Sequence, residues 1–302
     1  MRALVTGGAG FIGSNLVDRL IAEDYEVVVV DDLSTGKKQN LNEKAKFYPL
    51  DLRSASLREV FKDKVDVVFH FAAQARVRVS LEDPMYDAGV NINGAVNLLE
   101  ASRGEVEKIV YASSGGAVYG EPEYLPVDEE HPIAPLSPYG VSKYMVEEYL
   151  RVYYGIYGLP YSALRYGNVY GPRQDPYGEA GVIAIFANKM LLGEAPTING
   201  DGSQTRDFIY VGDAVEAGLR AAEKKVTGPV NVATGVETSV NQVYRVLREV
   251  TGSRVEAVHG PAIKGEVNRI YLDIKKAEKT LGWRPEVTLE DGITRFVEYL
   301  RP

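Results

Sequence analysis

The chain begins with a short apolar run, Arg2–Val5, and through its first half alternates such runs with longer segments whose apolar positions recur every three or four residues. The runs Glu26–Asp31, Phe47–Leu50, Val65–Phe71, Lys108–Ser113 and Tyr161–Arg165 are short and largely hydrophobic. Strands covered on both faces have that pattern. Between them Phe11–Ile21, Ser54–Phe61, a stretch from about Met85 to Ser102, and Pro138–Tyr157 carry the helical period. This alternation predicts an α/β fold, a doubly wound parallel sheet of the Rossmann type with right-handed crossovers.

After Arg165 the alternation gives way to loops rich in Gly, Pro and Asn. A helix is expected over Val182–Leu192, a turn over Thr197–Gly202, a helix over Val211–Ala222 and a strand over Pro229–Val232 that rejoins the main sheet. Val240–Thr251, Ile274–Leu281 and Leu289–Leu300 are helical in pattern. Residues 1–165, with a return segment at 207–232, are therefore expected to form one domain. Residues 166–302 are expected to form a second, smaller and discontinuous domain that binds substrate.

Where the first strand meets the first helix stands Thr6-Gly7-Gly8-Ala9-Gly10-Phe11-Ile12-Gly13. Glycines spaced in this way between strand and helix let the backbone turn sharply, approach a pyrophosphate and pack helix on sheet, while the helix N-terminus offers N–H groups to the phosphates. An acid about 20 residues further on, at the end of the next strand, completes a dinucleotide site by holding the adenosine ribose. Asp31 stands there. Asp32 follows it with no Arg alongside, which favours NAD over NADP.

Bulk properties narrow the remaining choices. A formal charge of −8 over 302 residues argues against a nucleic-acid surface. Absence of cysteine removes disulfides, thiolate metal sites and cysteine nucleophiles. His70, His131 and His259 are scattered and are read as structural, so no metal is expected. No apolar run approaches the roughly 20 residues needed to span a bilayer, and the fingerprint starts close to Met1, so a cytoplasmic protein with no membrane partner is expected.

Ligands of an open parallel sheet bind beyond the carboxyl ends of its strands. Polar groups follow those ends repeatedly: Asp51, His70 to Gln74, Ser113 to Gly116, and Tyr166 to Asn168. For Asp51 and Ser113, hydrogen bonding to nearby backbone is an equally good reading. Tyr139-Gly140-Val141-Ser142-Lys143 places a phenol and an ammonium one helical turn apart on one face. A second pair with this spacing, Tyr271 and Lys275, lies far beyond the sheet and is read as structural. A phenol is a poor base near pH 7, but an adjacent cation typically lowers its pKa by about 1–3 units, so Lys143 would activate Tyr139.

In these motifs the chain resembles the extended short-chain dehydrogenase/reductases and, among them, the UDP-glucose 4-epimerases. Further shared markers are Asn91-Ile92-Asn93-Gly94, Val118-Tyr119-Gly120, Leu164 through Pro172, and Arg206-Asp207-Phe208-Ile209. The resemblance implies that Gly7, Gly10, Phe11, Ile12, Asp31, Asp32, Asp51, Leu52, Phe71, Ala72, Ala73, Gln74, Asn91, Tyr139, Lys143 and Tyr166 surround NAD. Ser113 is counted with them. It further implies that Asn168, Val182, Thr197 and Arg206 hold the nucleotide sugar, that Ile270 gates the group on C2 of the sugar, and that the helix before the fifth strand pairs with Pro138–Tyr157 across a homodimer axis. Two departures stand out. Gly115 replaces the family's Ser or Thr, with Ser114 expected to point away, and Ile263 replaces a phosphate-binding Arg, for which Lys264 or Arg269 would compensate.

The implied reaction is epimerisation of UDP-glucose and UDP-galactose through transient oxidation at C4, with Tyr139 as base. A nucleotide-sugar 4,6-dehydratase or decarboxylase is the related alternative. Gly115 and Gly116 weigh against a dehydratase because neither can carry a proton. A cofactor-binding module without catalysis remains the reading from a different class.

Overall fold

A computed structural model of the chain describes residues 1–177, 181–262 and 267–301. The first half forms β1 (Arg2–Thr6), β2 (Glu26–Val30), β3 (Lys46–Tyr48), β4 (Val67–His70), β5 (Lys108–Ser114) and β6 (Tyr161–Tyr166). The helices there are α1 (Phe11–Ala22), α2 (Val77–Glu82), α3 (Pro84–Ala88), α4 (Gly94–Ser102), α5 (Gly115–Val118) and α6 (Pro138–Tyr157). Beyond them come β7 (Asn168–Tyr170), α7 (Val182–Leu191), β8 (Thr197–Asn199), β9 (Thr205–Arg206), β10 (Phe208–Tyr210), α8 (Val211–Glu223) and β11 (Gly228–Val232). The chain ends with β12 (Thr238–Ser239), α9 (Val240–Thr251), β13 (Val258–Gly260), α10 (Lys275–Leu281) and α11 (Leu289–Leu300).

The main sheet has seven parallel strands in the order β11-β6-β5-β4-β1-β2-β3. Its order reverses between β1 and β4, which leaves a crevice beyond their carboxyl ends. Alternation along each strand divides the hydrophobic core in two. Val5, Val29, Phe69, Val110 and Leu164 face α1 and α8, whereas Leu4, Val28, Val68, Ile109 and Ala163 face α4 and α6.

A third cluster forms away from the sheet, where α7, α9 and α11 pack together through Phe186, Val243, Leu247 and Phe296. The strand over residues 228–232 does rejoin the sheet, in parallel register with β6. So do parts of the chain beyond the expected return segment, since Ala277 and Leu281 of α10 and Trp283 belong to the sheet's core.

Two local readings need correcting and one is refined. The helix expected from Met85 to Ser102 runs from Pro84 to Ser102, with a π-helical turn over Gly89–Asn93 between α3 and α4. Such turns shift the register of a helix face and recur at functional sites. Ser54–Phe61 winds as the tighter 3₁₀ helix, over Ala55–Lys62. The expected turn at Thr197–Gly202 begins as β8, paired with β13, because Ile198 is buried in the third cluster.

Candidate active site

The loop after β1 is shaped by what its glycines lack. Gly7 has φ +72°, and a side chain there would come within 2.6 Å of the Ala72 nitrogen after β4. At Gly13 a Cβ would lie 2.2 Å from the Gly7 carbonyl oxygen, so only glycine lets α1 dock this close to the loop. Gly10 precedes α1, which has no side-chain cap, and the helix therefore starts at Phe11 and Ile12 with N–H groups that no side chain satisfies. Asp31 is 7% exposed at the end of β2 and receives the Ala9 and Leu33 N–H groups at 3.0 and 2.8 Å. Burial nevertheless pushes its pKa up. A close-approach loop, an uncapped helix end and a carboxylate at the next strand end suit the pyrophosphate and ribose of NAD.

Other expected cofactor contacts are distributed around this crevice. Asp32 is exposed and receives Ser34. Asp51 is gripped by the Arg53 guanidinium, with Nε at 3.0 Å from both oxygens, which lowers its pKa. The Leu52 side chain belongs to the core beneath α4. Phe71, Ala72 and Ala73 form the half-buried edge after β4, where Ala72 N–H donates to Thr6. Gln74 and Asn91 are buried and bond each other through backbone and side chain at 2.8 and 3.0 Å.

Two members of the expected set are turned elsewhere. The Tyr166 hydroxyl donates to the Ala214 carbonyl inside the core under α8, so only its ring reaches toward Phe71. Ser113 donates to Glu147, whose carboxylate also binds Arg165 at 2.7 Å, all three being buried. Strand alternation aims Ser113 at the face of α6, where this ion pair consumes it.

Helix α6 supplies the remaining groups. Ser137 caps it by accepting the Gly140 N–H at 3.1 Å, Pro138 suits its first turn, and Gly158 ends it in the left-handed region. Its buried stripe includes Lys143 and Glu147, one turn apart. Lys143 donates to the Ala112 carbonyl at 2.8 Å, and its ammonium lies 5.8 Å from the centre of the Tyr139 ring. Burial pulls its pKa down to about 8. The Tyr139 phenol is pushed up to about 12 by burial, opposed by a hydrogen bond from Ser114. Lys143 thus keeps its ammonium near the Tyr139 ring while its hydrogen bond holds it to the end of β5.

Ser114 needs correcting at this centre. Expected to point away, it comes close enough to Tyr139 for its hydroxyl to favour the phenolate. Alternation decides which face of a sheet a side chain takes. Tyr139 is the second residue of α6 and meets β5 from beyond its end, about two turns ahead of Glu147. Gly115 is not an empty place either, because a Cβ there would come within 2.6 Å of Leu272 Cδ1.

The expected sugar contacts are brought to the same end of the sheet only in part. Asn168 lies beside Gly116 of α5, its Oδ1 3.7 Å from where a Cβ of that glycine would be. Val182 opens α7, Thr197 is exposed on β8, and Arg206 on β9 donates to the Thr205 carbonyl at 2.7 Å. Asp207 does not hold Arg206, since Thr234, Gly235 and Leu272 occupy its carboxylate. Arg269 is clamped by Glu237 at 2.7 and 2.9 Å. Ile270 is 2% exposed among Val118, Tyr119, Val127 and Leu272, so its side chain fills a core and does not wall an open pocket. Ile263 to Glu266 lie outside the described residues. Tyr271 precedes α10 and Lys275 pairs with Asp273, which separates that second spacing match from any site. His70, His131 and His259 each bond a nearby protein group, Thr6, Pro132 and Gly200 respectively.

Comparisons with known proteins agree with this geometry. Residues 3–233 match the model of the NAD dependent epimerase/dehydratase family. The chain is 56% identical over 99% of its length, and 98% of the relative's, to a Methanocaldococcus jannaschii protein with the provisional name UDP-glucose 4-epimerase. It superimposes with a TM-score of 0.98, at 49% identity and over 99% and 98% of the two chains, on the Thermotoga maritima UDP-glucose 4-epimerase with UDP-glucose. For the Thermus thermophilus UDP-glucose 4-epimerase in complex with NAD, the values are 0.94, 45%, 99% and 98%. With its glycine cradle, its Asp31 and its Tyr139–Lys143 pair at one end of a seven-stranded parallel sheet, this chain belongs to the NAD dependent epimerase/dehydratase family.

Proposed function

We propose that the protein is a UDP-glucose 4-epimerase that works through Tyr139. The observation that carries this reading is the convergence of Tyr139, Ser114 and Lys143 at the end of β5, beside the crevice bordered by the Gly7–Gly13 loop. Residues 1–165 with the α8–β11 return hold NAD through Gly7, Gly10, the start of α1 and Asp31. Residues 166–302 hold the UDP sugar, with Asn168, Val182, Thr197 and Arg206 around it. NAD, once bound there, would supply the acceptor and donor of the hydride exchanged at C4 of the hexose.

Tyr139 Oη accepts the proton of the 4-hydroxyl and later gives it back. Ser114 steadies the phenolate by donating to it, and Lys143 holds the end of β5 in place through Ala112. The UDP handle stays anchored while the 4-keto ring turns over, so the two half-reactions share one site. A dehydratase is the weaker reading, because it needs an acid and a base beside the catalytic hydroxyl and this chain has Gly115 and Gly116 there.

The reading extends to assembly. Val141, Tyr149, Val152 and Ile156 form an exposed apolar stripe along α6, which supports a homodimer paired through α4 and α6.

Purified protein should interconvert UDP-glucose and UDP-galactose with no net change in NAD. A product that has lost water would identify a dehydratase. No turnover of either sugar would overturn the assignment.

A further inference from the structure

Behind Tyr139 and Lys143 lies a buried carboxylate that the reaction above does not use. Asp87, in α3, is 1% exposed. Its Oδ1 accepts hydrogen bonds from Gln74 Nε2 at 2.8 Å and Asn91 Nδ2 at 3.1 Å, while its Oδ2 is buried with no partner. Gln74 cannot swing away, being tied to Arg76 through both ends of its amide, at 2.6 and 2.9 Å. Asn91 also donates to the Ser142 hydroxyl at 3.0 Å, which joins this network to α6 at the residue before Lys143. A buried carboxylate oxygen without a partner costs free energy unless a nearby charge compensates it.

The surrounding groups show which charge that is. Glu147, the other acid near Lys143 on α6, is neutralised by Arg165 at 2.7 Å and receives Ser113. His70, at the end of β4, is pushed down to about 3 by burial and by the Lys143 charge, so it carries no charge at neutral pH. On β5, Tyr111 lies under Lys143 with its ring centre 5.0 Å from the ammonium, and burial raises its pKa well above the ordinary value. Arg76, Arg78 and Glu82 in and before α2, and Asp83 ahead of α3, are exposed to solvent. Among the described residues no cation forms an ion pair with Asp87.

We propose that Asp87 is a positioning residue whose carboxylate, fixed by Gln74 and Asn91, is the counter-charge of the Lys143 ammonium behind the proton acceptor Tyr139. Its part in catalysis rests on the assignment of Tyr139 given above. Burial draws Lys143 toward neutrality, and Asp87 is foremost among the groups that oppose it. The same negative charge resists ionisation of the Tyr139 phenol. Removing it lowers the pKa of both groups. Both titrations therefore move to lower pH together when the charge is removed.

Asp87→Asn tests this, because its amide oxygen can accept the same two hydrogen bonds while the charge is gone. The readout is the ultraviolet absorbance of tyrosinate during a pH titration of the purified protein, with the Tyr139 contribution isolated by subtracting Tyr139→Phe in each background. The midpoint for Tyr139 should fall by about one pH unit in Asp87→Asn. The kcat profile for UDP-glucose should move the same way, with KM nearly unchanged. Should Asp87→Asn fail to fold, Asp87→Ser removes the charge with a smaller side chain and should show the same shift. An unmoved midpoint in a folded, uncharged variant overturns the proposal. Because the titration needs no turnover, a lowered midpoint in a protein without epimerase activity would support the counter-charge and overturn only the reaction assigned above.

Discussion

At the level of single residues, the site is decided by which hydroxyl reaches the phenol. Ser114 comes close enough to Tyr139 to favour its phenolate, whereas Ser113, its neighbour, is spent on Glu147. A positioned acid–base group typically contributes about 10²–10⁴-fold, so Tyr139→Phe should lose that much in kcat while still retaining bound nucleotide. Ser114→Ala should lose less, since a hydroxyl that shares the hydrogen bond does not itself take the proton. Gly115→Ser should alter kcat by less than about tenfold, or roughly 1.4 kcal/mol of barrier. Ser114 already supplies a hydroxyl, and the new Cβ would have to push aside the end of Leu272 and settle 3.2 Å from the Arg165 carbonyl oxygen. Steady-state kinetics on the three variants checks the order. A hundredfold gain in Gly115→Ser would reject Ser114 as the partner of Tyr139.

At the level of elements, the NAD crevice depends on how closely α1 is drawn to the β1 loop. Gly13 touches that loop with no room for a methyl, the nearest atom being the Gly7 carbonyl oxygen, which is backbone and cannot rotate out of the way. Gly13→Ala should therefore displace α1, at about 1–3 kcal/mol of stability, and spoil the N-terminal turn that would face the pyrophosphate. Thermal denaturation measures the first effect, and release of nucleotide by heating followed by chromatography measures the second. Wild-type retention of NAD by a folded Gly13→Ala protein would show that the phosphates do not sit at this helix end.

At the level of the whole molecule, α6 serves two surfaces. Its inner stripe reaches the site through Lys143 and the sheet core through Val146 and Leu150. Its outer stripe, Val141, Tyr149, Val152 and Ile156, is exposed, with Ile156 67% accessible. An apolar stripe of this length on a helix is ordinarily covered. Equilibrium sedimentation should give a dimer, and Val152→Glu, which buries a charge at the pairing face, should shift it to monomer without unfolding the chain. A wild-type monomer at micromolar concentration would remove the dimer from the reading.

How much of this the chain declares by itself depends on the range of the cause. Doubly wound order, the glycine cradle, the acid at the end of β2 and the limits of α6 are set by neighbours within a few residues, by hydrophobic period, capping and the absence of a Cβ. All of them are readable from one strand of text. The partner of Tyr139 is not, because alternation along β5 says which face Ser114 takes but not that α6 begins over the strand's end. Nor is the burial of Ile270 beside Val127 and Leu272, or the turning of the Tyr166 hydroxyl into α8, since those contacts join segments far apart in sequence. Asp87 makes the same point: four residues before Asn91 it looks like an ordinary helical acid, and only the packing of α3 against α6 leaves its oxygen buried near Lys143. Local geometry is written in the sequence; the proton chemistry depends on desolvation and on charges that only the folded chain brings together.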